Sequence, residues 1–210
     1  MTIEKRNFDK EAASWDENPG RVKLTEKIFK SIMENIHINK NMEVMDFGCG
    51  TGLLSLKLLP HVKSVTAVDS SRGMLDVLDS KIRGQNLPGI TTHLVDIEKG
   101  ETLAGTFDLV TSSMTMHHIE NIPPLLTQFY NIIRPGGYLC IADLDSDGGM
   151  FHESNDGVFH KGFHRDGMKQ MFAGAGFVEI SDVTATEISK PDKDGSTKSF
   201  SIFLIKGKRE

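Results

Sequence analysis

Apolar residues along this chain alternate between two periods. Val44-Met-Asp-Phe-Gly-Cys-Gly-Thr-Gly52 is a short apolar run closed by three glycines at alternate positions, which reads as a strand that breaks at once into a turn. Leu53, Leu54, Leu56, Leu58 and Leu59 predict a buried helix that stops at Pro60, and Val62 to Asp69 predicts a second strand. These pieces form one right-handed β-α-β unit. Leu75, Leu78 and Ile82 share a helical face after a capping Ser70 or Ser71, and Gly84 lies near the end of that helix. Ile90 to Val95 is the third strand, Asp96 to Gly105 allows at most a short helix, and Phe107 to Ser112 is the fourth strand. Pro123 and Pro124 open a helix whose Leu125, Leu126, Phe129, Ile132 and Ile133 face inward. Pro135-Gly136-Gly137 turns the chain into a fifth strand, Tyr138 to Asp143.

The flanks have a different texture. Phe8, Ala12 and Trp15 sit at helical spacing in a piece that Asn18-Pro19-Gly20 terminates, and Arg21 to His37 carries Leu24, Ile28, Ile32 and Ile36 as a second helical stripe. Residues 144–163 show no periodicity and read as a functional lid loop. Met168, Met171, Phe172 and Ala175 mark a last helix, and Phe177 to Ala185 with Phe200 to Lys206 frame a polar turn at Pro191 to Gly195, an antiparallel pair. The expected class is α/β: a doubly wound, seven-stranded, mostly parallel sheet with an antiparallel terminal hairpin and an N-terminal helical cap. One domain over 1–210 is expected, with the cap in 1–38, a cofactor-binding core in 39–145, and the lid loop, last helix and hairpin in 146–210. Ligands sit beyond the carboxyl ends of strands in such sheets. That rule gathers the glycine turn, Asp69, Asp96, the Met114 to Ile119 loop and Asp143 on one edge.

Composition narrows the partners. With 210 residues, 38% hydrophobic, there is enough chain for one good core, and a net charge of -5 weakens the case for a nucleic-acid partner. No apolar window approaches a membrane span and the N-terminus carries no leader-like run, so a soluble, cytoplasmic protein without membrane partners is expected, a monomer or homodimer. Cys49 and Cys140 read as reduced packing thiols. His152, His160 and His164 have no recognised ligand spacing, and no metal is expected.

The glycine spacing decides the cofactor. A dinucleotide fingerprint is Gly-x-Gly-x-x-Gly, whereas Gly48 to Gly52 is Gly-x-Gly-x-Gly. Asp69, 21 residues after Gly48, can take a ribose diol. Asp96 either meets an adenine amino group, with Ile97 on the ring, or only caps the segment after it.

With Asp46 two residues before Gly48, the chain resembles the class I S-adenosylmethionine-dependent methyltransferases, closely over about 40–145. Phe107-Asp-Leu-Val and Ile133-Arg-Pro-Gly-Gly-Tyr-Leu match that family's later motifs, and His117-His118-Ile119 is similar to the small-molecule branch with the ubiquinone and menaquinone methyltransferases (methyltransferase types 11 and 12). The resemblance implies a Rossmann-like fold and S-adenosyl-L-methionine as cofactor, with S-adenosyl-L-homocysteine as product. It places Asp46, Gly48, Cys49, Gly50, Thr51 and Gly52 around the methionine moiety, Asp69 and Ser70 at the ribose, Asp96 and Ile97 at the adenine, and Thr111 to Met114, including Ser112 and Ser113, beneath the cofactor. Trp15, Met114, His117, His118, Asp143 and His152 are the acceptor-side candidates. Among the histidines, His118 and then His117 are the candidate bases. A small-molecule acceptor is expected. A nicotinamide-dependent oxidoreductase, a transfer RNA or protein methyltransferase, and a non-catalytic binding protein remain the alternatives.

Overall fold

The computed structural model describes residues 6–151, 154–191 and 197–210. Two short pieces lead: α1 (Phe8–Glu11), capped by Asn7, and a 3-10 turn over Ala12–Glu17. Helix α2 (Pro19–Asn35) starts two residues earlier than its stripe predicts. Asn18 explains this, because its side chain accepts from the amides of Gly20 and Arg21 while Pro19 fills the first helical position. The tripeptide that ends one element begins the next.

The parallel strands are β1 (Glu43–Phe47), β2 (Ser64–Asp69), β3 (Ile90–Leu94), β4 (Phe107–Ser113) and β5 (Ile133–Leu144), with α3 (Leu53–Leu58), α4 (Arg72–Gln85) and α5 (Ile122–Ile132) as crossovers. Between β3 and β4 only a 3-10 turn forms, Ile97–Lys99, as the weak periodicity there indicates. After α6 (Arg165–Gly174) the chain ends in β6 (Val178–Pro191) and β7 (Thr197–Lys208). The sheet runs β3-β2-β1-β4-β5-β7-β6, and β7 lies antiparallel to both neighbours. This is the expected seven-stranded class, with the terminal strands longer than the apolar runs suggest; the tip of their hairpin, 192–196, lies outside the described residues.

Strand alternation sorts the core into two layers. Val44, Val65, Ala67, Leu109 and Cys140 pack with Ile28, Ile32, Leu54, Leu58, Leu75 and Leu78 of α2, α3 and α4. Met45, Phe47, Val110, Leu139 and Ile141 pack with Leu125, Leu126, Phe129, Met168 and Phe172 of α5 and α6. The strand order reverses between β1 and β4, and there the carboxyl ends open a crevice. Among the described residues no helix is long and apolar enough to cross a membrane.

Candidate active site

A cavity of about 890 Å³ fills that crevice. Its floor is the glycine turn, where the backbone takes φ of +70° at Gly48, +54° at Gly50 and +82° at Gly52. The three positions do different things. A Cβ on Gly48 would lie 2.2 Å from Thr115 Cγ2, and one on Gly52 would lie 2.3 Å from Leu78 Cδ1, so both allow close packing of the protein on itself. At Gly50 the nearest atom is Met74 Sδ at 4.0 Å, so this glycine bares backbone to the cavity. Gly52 does not line the cavity, which corrects its expected place at a ligand: the third glycine seats α3 against α4.

Asp69 closes the floor. Its Oδ2 accepts from Gly50 N at 2.7 Å and its Oδ1 from Ser71 N at 2.9 Å, so one carboxylate ties the glycine turn to the start of α4. Burial raises its pKa, and the amides of Ser71 and Gly50 oppose that rise. Asp46 lies deeper and accepts from Ser55 Oγ at 2.5 Å; burial pushes its pKa up to about 7 against that hydrogen bond. Ser70, Cys49, Thr51, Ile97 and Ser113 line the cavity as expected positions. Asp96 caps the 3-10 turn, its Oδ1 accepting from Glu98 N at 3.2 Å, and it also lines the cavity.

Other expected positions fall elsewhere. Ser112 is buried on the β4 face toward α5, away from the cavity, and its hydroxyl and that of Thr111 have no hydrogen-bond partner among the described residues. The parity of β4 sends Ser112 inward and leaves Ser113 at the crevice. Asp143 does not line the cavity; it stands behind His117, whose Nδ1 it holds at 2.7 Å. His152 lies outside the described residues. Met114 does line the cavity and adopts a left-handed backbone, φ +56°, a strained conformation for a residue with a long side chain and a feature absent from its sequence signal.

A roof covers one end of the cavity. Residues 145–151 and 154–163 belong to a loop pinned at its base by Arg165, whose Nε donates to Asp145 Oδ1 at 2.8 Å. The loop is stitched to the β4 loop: Phe159 N donates to His117 O at 3.0 Å, His118 Nδ1 donates to Gly157 O at 2.6 Å, and the His160 ring meets Ile119 O at 2.9 Å. The N-terminal segment comes from the other side. Asp9 accepts from Ser71 Oγ at 2.5 Å and Gly73 N at 2.8 Å, acting as a remote cap on α4, while Asp16 accepts from Thr51 Oγ1 at 2.5 Å and pairs with Lys81. Phe8 packs edge-on to both Trp15 (5.9 Å) and His118 (5.1 Å), and the Arg21 guanidinium sits 3.7 Å from the Trp15 ring centre. One face of Trp15 is thus occupied by the protein's own cation. Ile188 and Lys190 reach the cavity from the distal half of β6, and Lys190 Nζ lies 3.6 Å from the Phe151 ring centre. None of Asp9, Asp16, Lys81 or Lys190 carries a local sequence signal; each is recruited over a long separation.

The cavity fits a nucleoside-bearing donor. It has bared backbone at Gly50, a carboxylate beside it, and Val95, Asp96 and Ile97 along one wall. A volume of about 890 Å³ lies near the top of the roughly 300–1,000 Å³ range of single-ligand pockets, room for a cofactor with a second small molecule.

A family profile described as a methyltransferase domain matches residues 21–181. The chain is 31% identical over 157 residues to a ubiquinone biosynthesis O-methyltransferase of Coxiella burnetii, covering 69% of this chain and 66% of that one. Another curated relative is spanned over about half its length, 49%. Among solved structures, a putative methyltransferase of Haloferax volcanii, in complex with a methyltransferase activator, superposes with a TM-score of 0.75 at 15% identity, covering 97% of this chain and 98% of that one. Phosphoethanolamine N-methyltransferase 2 of Haemonchus contortus, solved with S-adenosyl-L-methionine, superposes with a TM-score of 0.70 at 16% identity, covering 86% and 52%. The seven-stranded order, the glycine turn with its acidic partners and the profile match together make this chain a member of the class I S-adenosylmethionine-dependent methyltransferase family.

Proposed function

We propose that this protein transfers a methyl group from S-adenosylmethionine to a small molecule held under the roof. The observation that carries the donor half is Asp69, a half-buried carboxylate that faces the cavity while clamping the amides of Gly50 and Ser71. When bound, the donor supplies an already activated sulfonium methyl. The chain's own residues bind and align. Asp69 keeps acceptor capacity for ribose hydroxyls, Gly50 admits the donor close to backbone, and Asp46, its pKa pushed up to about 7 by burial, presents a carboxyl group that a nearby cation would ionise. Holding the acceptor in line for transfer, with water shut out, supplies most of the acceleration.

The small-molecule half is supported by the roof. Gly157 meets the Arg6 backbone so closely that a Cβ there would lie 2.4 Å from Arg6 N. A roof whose two pieces meet that closely suits an acceptor that enters whole rather than one tethered to a large polymer. The name of the Coxiella relative points the same way.

Calorimetric titration tests the donor half. S-adenosylmethionine and S-adenosylhomocysteine should bind while nicotinamide dinucleotides give no heat; the reverse pattern would overturn the reading.

A further inference from the structure

Seven residues separate Asp9 from Asp16 in the N-terminal segment, and the same interval separates Phe8 from Trp15. The two rings line the cavity, whereas the two carboxylates grip the elements that floor it. Asp9 Oδ1 accepts from Ser71 Oγ at 2.5 Å and from Gly73 N at 2.8 Å, and Ser71 N donates to Asp69, so this grip shares a residue with the carboxylate assigned to the ribose. Asp16 Oδ1 accepts from Thr51 Oγ1 at 2.5 Å, and Lys81 closes the second grip by pairing with Asp16 and donating to Thr51 O at 2.7 Å. Thr51 belongs to the glycine turn, next to the bared backbone of Gly50. Gly73 records how closely the segment is seated. A Cβ there would lie 2.9 Å from Asp9 Cα and 3.0 Å from Asp9 O, backbone atoms that cannot swing aside. Gly73 lies in the first turn of α4, where the helix itself favours alanine, so the missing side chain serves the contact with Asp9 rather than the helix.

We propose that residues 6–17 are a latch on the donor: the segment lifts off Ser71 and Thr51 to let the donor in and its demethylated product out, and the grips of Asp9 and Asp16 set the rate of both passages. The inference rests on the methyl-transfer reading above. Both grips fall on elements of the donor floor, α4 and the glycine turn, so the segment rests on the donor side of the cavity. Its closing also sets Phe8 and Trp15 into the cavity wall, so the acceptor meets a finished pocket only once the donor is in place. The order of events follows: donor on before acceptor, demethylated donor off last. A latch has a kinetic signature that a ligand contact lacks. A contact made to the bound donor slows departure alone, whereas a latch slows entry and departure alike, because both pass through the same open state. Weakening one hydrogen bond to a charged carboxylate shifts the balance between closed and open by about 10-fold to 100-fold.

The test uses the full chain, S-adenosylhomocysteine as probe, and Trp15, the one tryptophan in the sequence, as a fluorescent reporter carried by the segment itself. Stopped-flow mixing over a range of probe concentrations gives the association and dissociation rate constants, and calorimetry gives the affinity independently. Asp16→Asn keeps the shape of the side chain and weakens its hold on Thr51 and Lys81. Gly73→Ala suits α4 and pushes Asp9 away, so thermal unfolding at or above the unmodified temperature separates a lost latch from a lost fold; if that variant unfolds earlier, Asp16→Asn decides. Each variant should raise both rate constants by about 10-fold or more, with the affinity moving by less than about threefold. Faster dissociation at unchanged association would make the segment a ligand contact and overturn the proposal, as would rate constants unchanged in both variants or a Trp15 signal that ignores the probe. No heat on titrating the probe into the unmodified protein would instead remove the parent donor reading, and the latch with it.

Discussion

Asp69→Ala removes a carboxylate with two jobs, and their sizes separate. In the protein alone it leaves the amides of Gly50 and Ser71 without their acceptor. An orphaned buried donor costs about 1–3 kcal/mol, and Gly50 lies on the cavity, where water can partly replace the carboxylate, so about 2–4 kcal/mol of folding stability should go. In the complex the same change removes two charge-assisted bonds to ribose hydroxyls, on the order of 2–4 kcal/mol, or about 30-fold to 1000-fold in affinity. A cycle isolates the second effect. The dissociation constants of S-adenosylhomocysteine and of its 2′,3′-dideoxy analogue are measured on the unmodified protein and on Asp69→Ala by calorimetry. If Asp69 holds the ribose, the variant should barely distinguish the two ligands whereas the unmodified protein distinguishes them strongly, a coupling of about 2 kcal/mol or more. Additive losses, with the variant still preferring the intact ribose by the original factor, would refute the ribose assignment and leave Asp69 only its backbone role.

Three further outcomes follow from the geometry. Gly157→Ala puts a side chain on a residue at φ +67° whose Cβ would lie 2.4 Å from Arg6 N; the left-handed conformation alone costs about 1–2 kcal/mol, so amide exchange in 6–17 and 154–163 should speed up together by roughly 5- to 30-fold, and unchanged exchange would mean that the two pieces do not close on each other. Asp9→Ala deletes the remote cap on Ser71 and Gly73 and should lower stability by about 1 kcal/mol, a Tm drop of about 2–4 °C; no change in Tm would show the contact to be ornamental. For Asp46 the folded pKa of about 7 exceeds the unfolded value of 3.8, so its contribution to stability is fully present below the unfolded value and lost as pH rises through about 7, an order of 4 kcal/mol across that window. Denaturation of the ligand-free protein from pH 4 to 8 should show that loss and Asp46→Asn should flatten it, whereas parallel curves would remove the assignment.

The sheet was legible because its information is local. Alternating apolar positions, prolines at helix starts and glycines at turns each act within a few residues, and β1 to β4 appear close to where those patterns end, whereas β5 begins at Ile133 and runs extended through Pro135, Gly136 and Gly137, where the sequence predicts a turn before Tyr138. Asp46, Gly48, Gly50 and Asp69 were legible for the same reason, since strand ends and a tight turn fix which atoms face the crevice. Strand parity at the crevice was less so: a one-residue shift separates Ser113, on the cavity, from Ser112, under the sheet. The roof was visible only as a loop and a cap. Asp9 reaching Ser71, Asp16 reaching Thr51 and Lys190 reaching Phe151 are pairings across 62, 35 and 39 residues that no periodicity encodes. The partners of the two histidines have the same origin: His118 meets Gly157 O of the loop and His117 meets Asp143 of a neighbouring strand, 39 and 26 residues away.

Methyl partition tests the central claim most directly. The protein is incubated with S-adenosylmethionine labelled in the transferable methyl and a whole-cell extract, which is then separated into a filter-passing small-molecule fraction and retained protein and nucleic-acid fractions. Label beyond that in a control lacking the protein should collect in the small-molecule fraction as a product other than the donor, and Asp69→Ala should suppress it. Label that accumulates only in retained protein or nucleic acid would contradict the account.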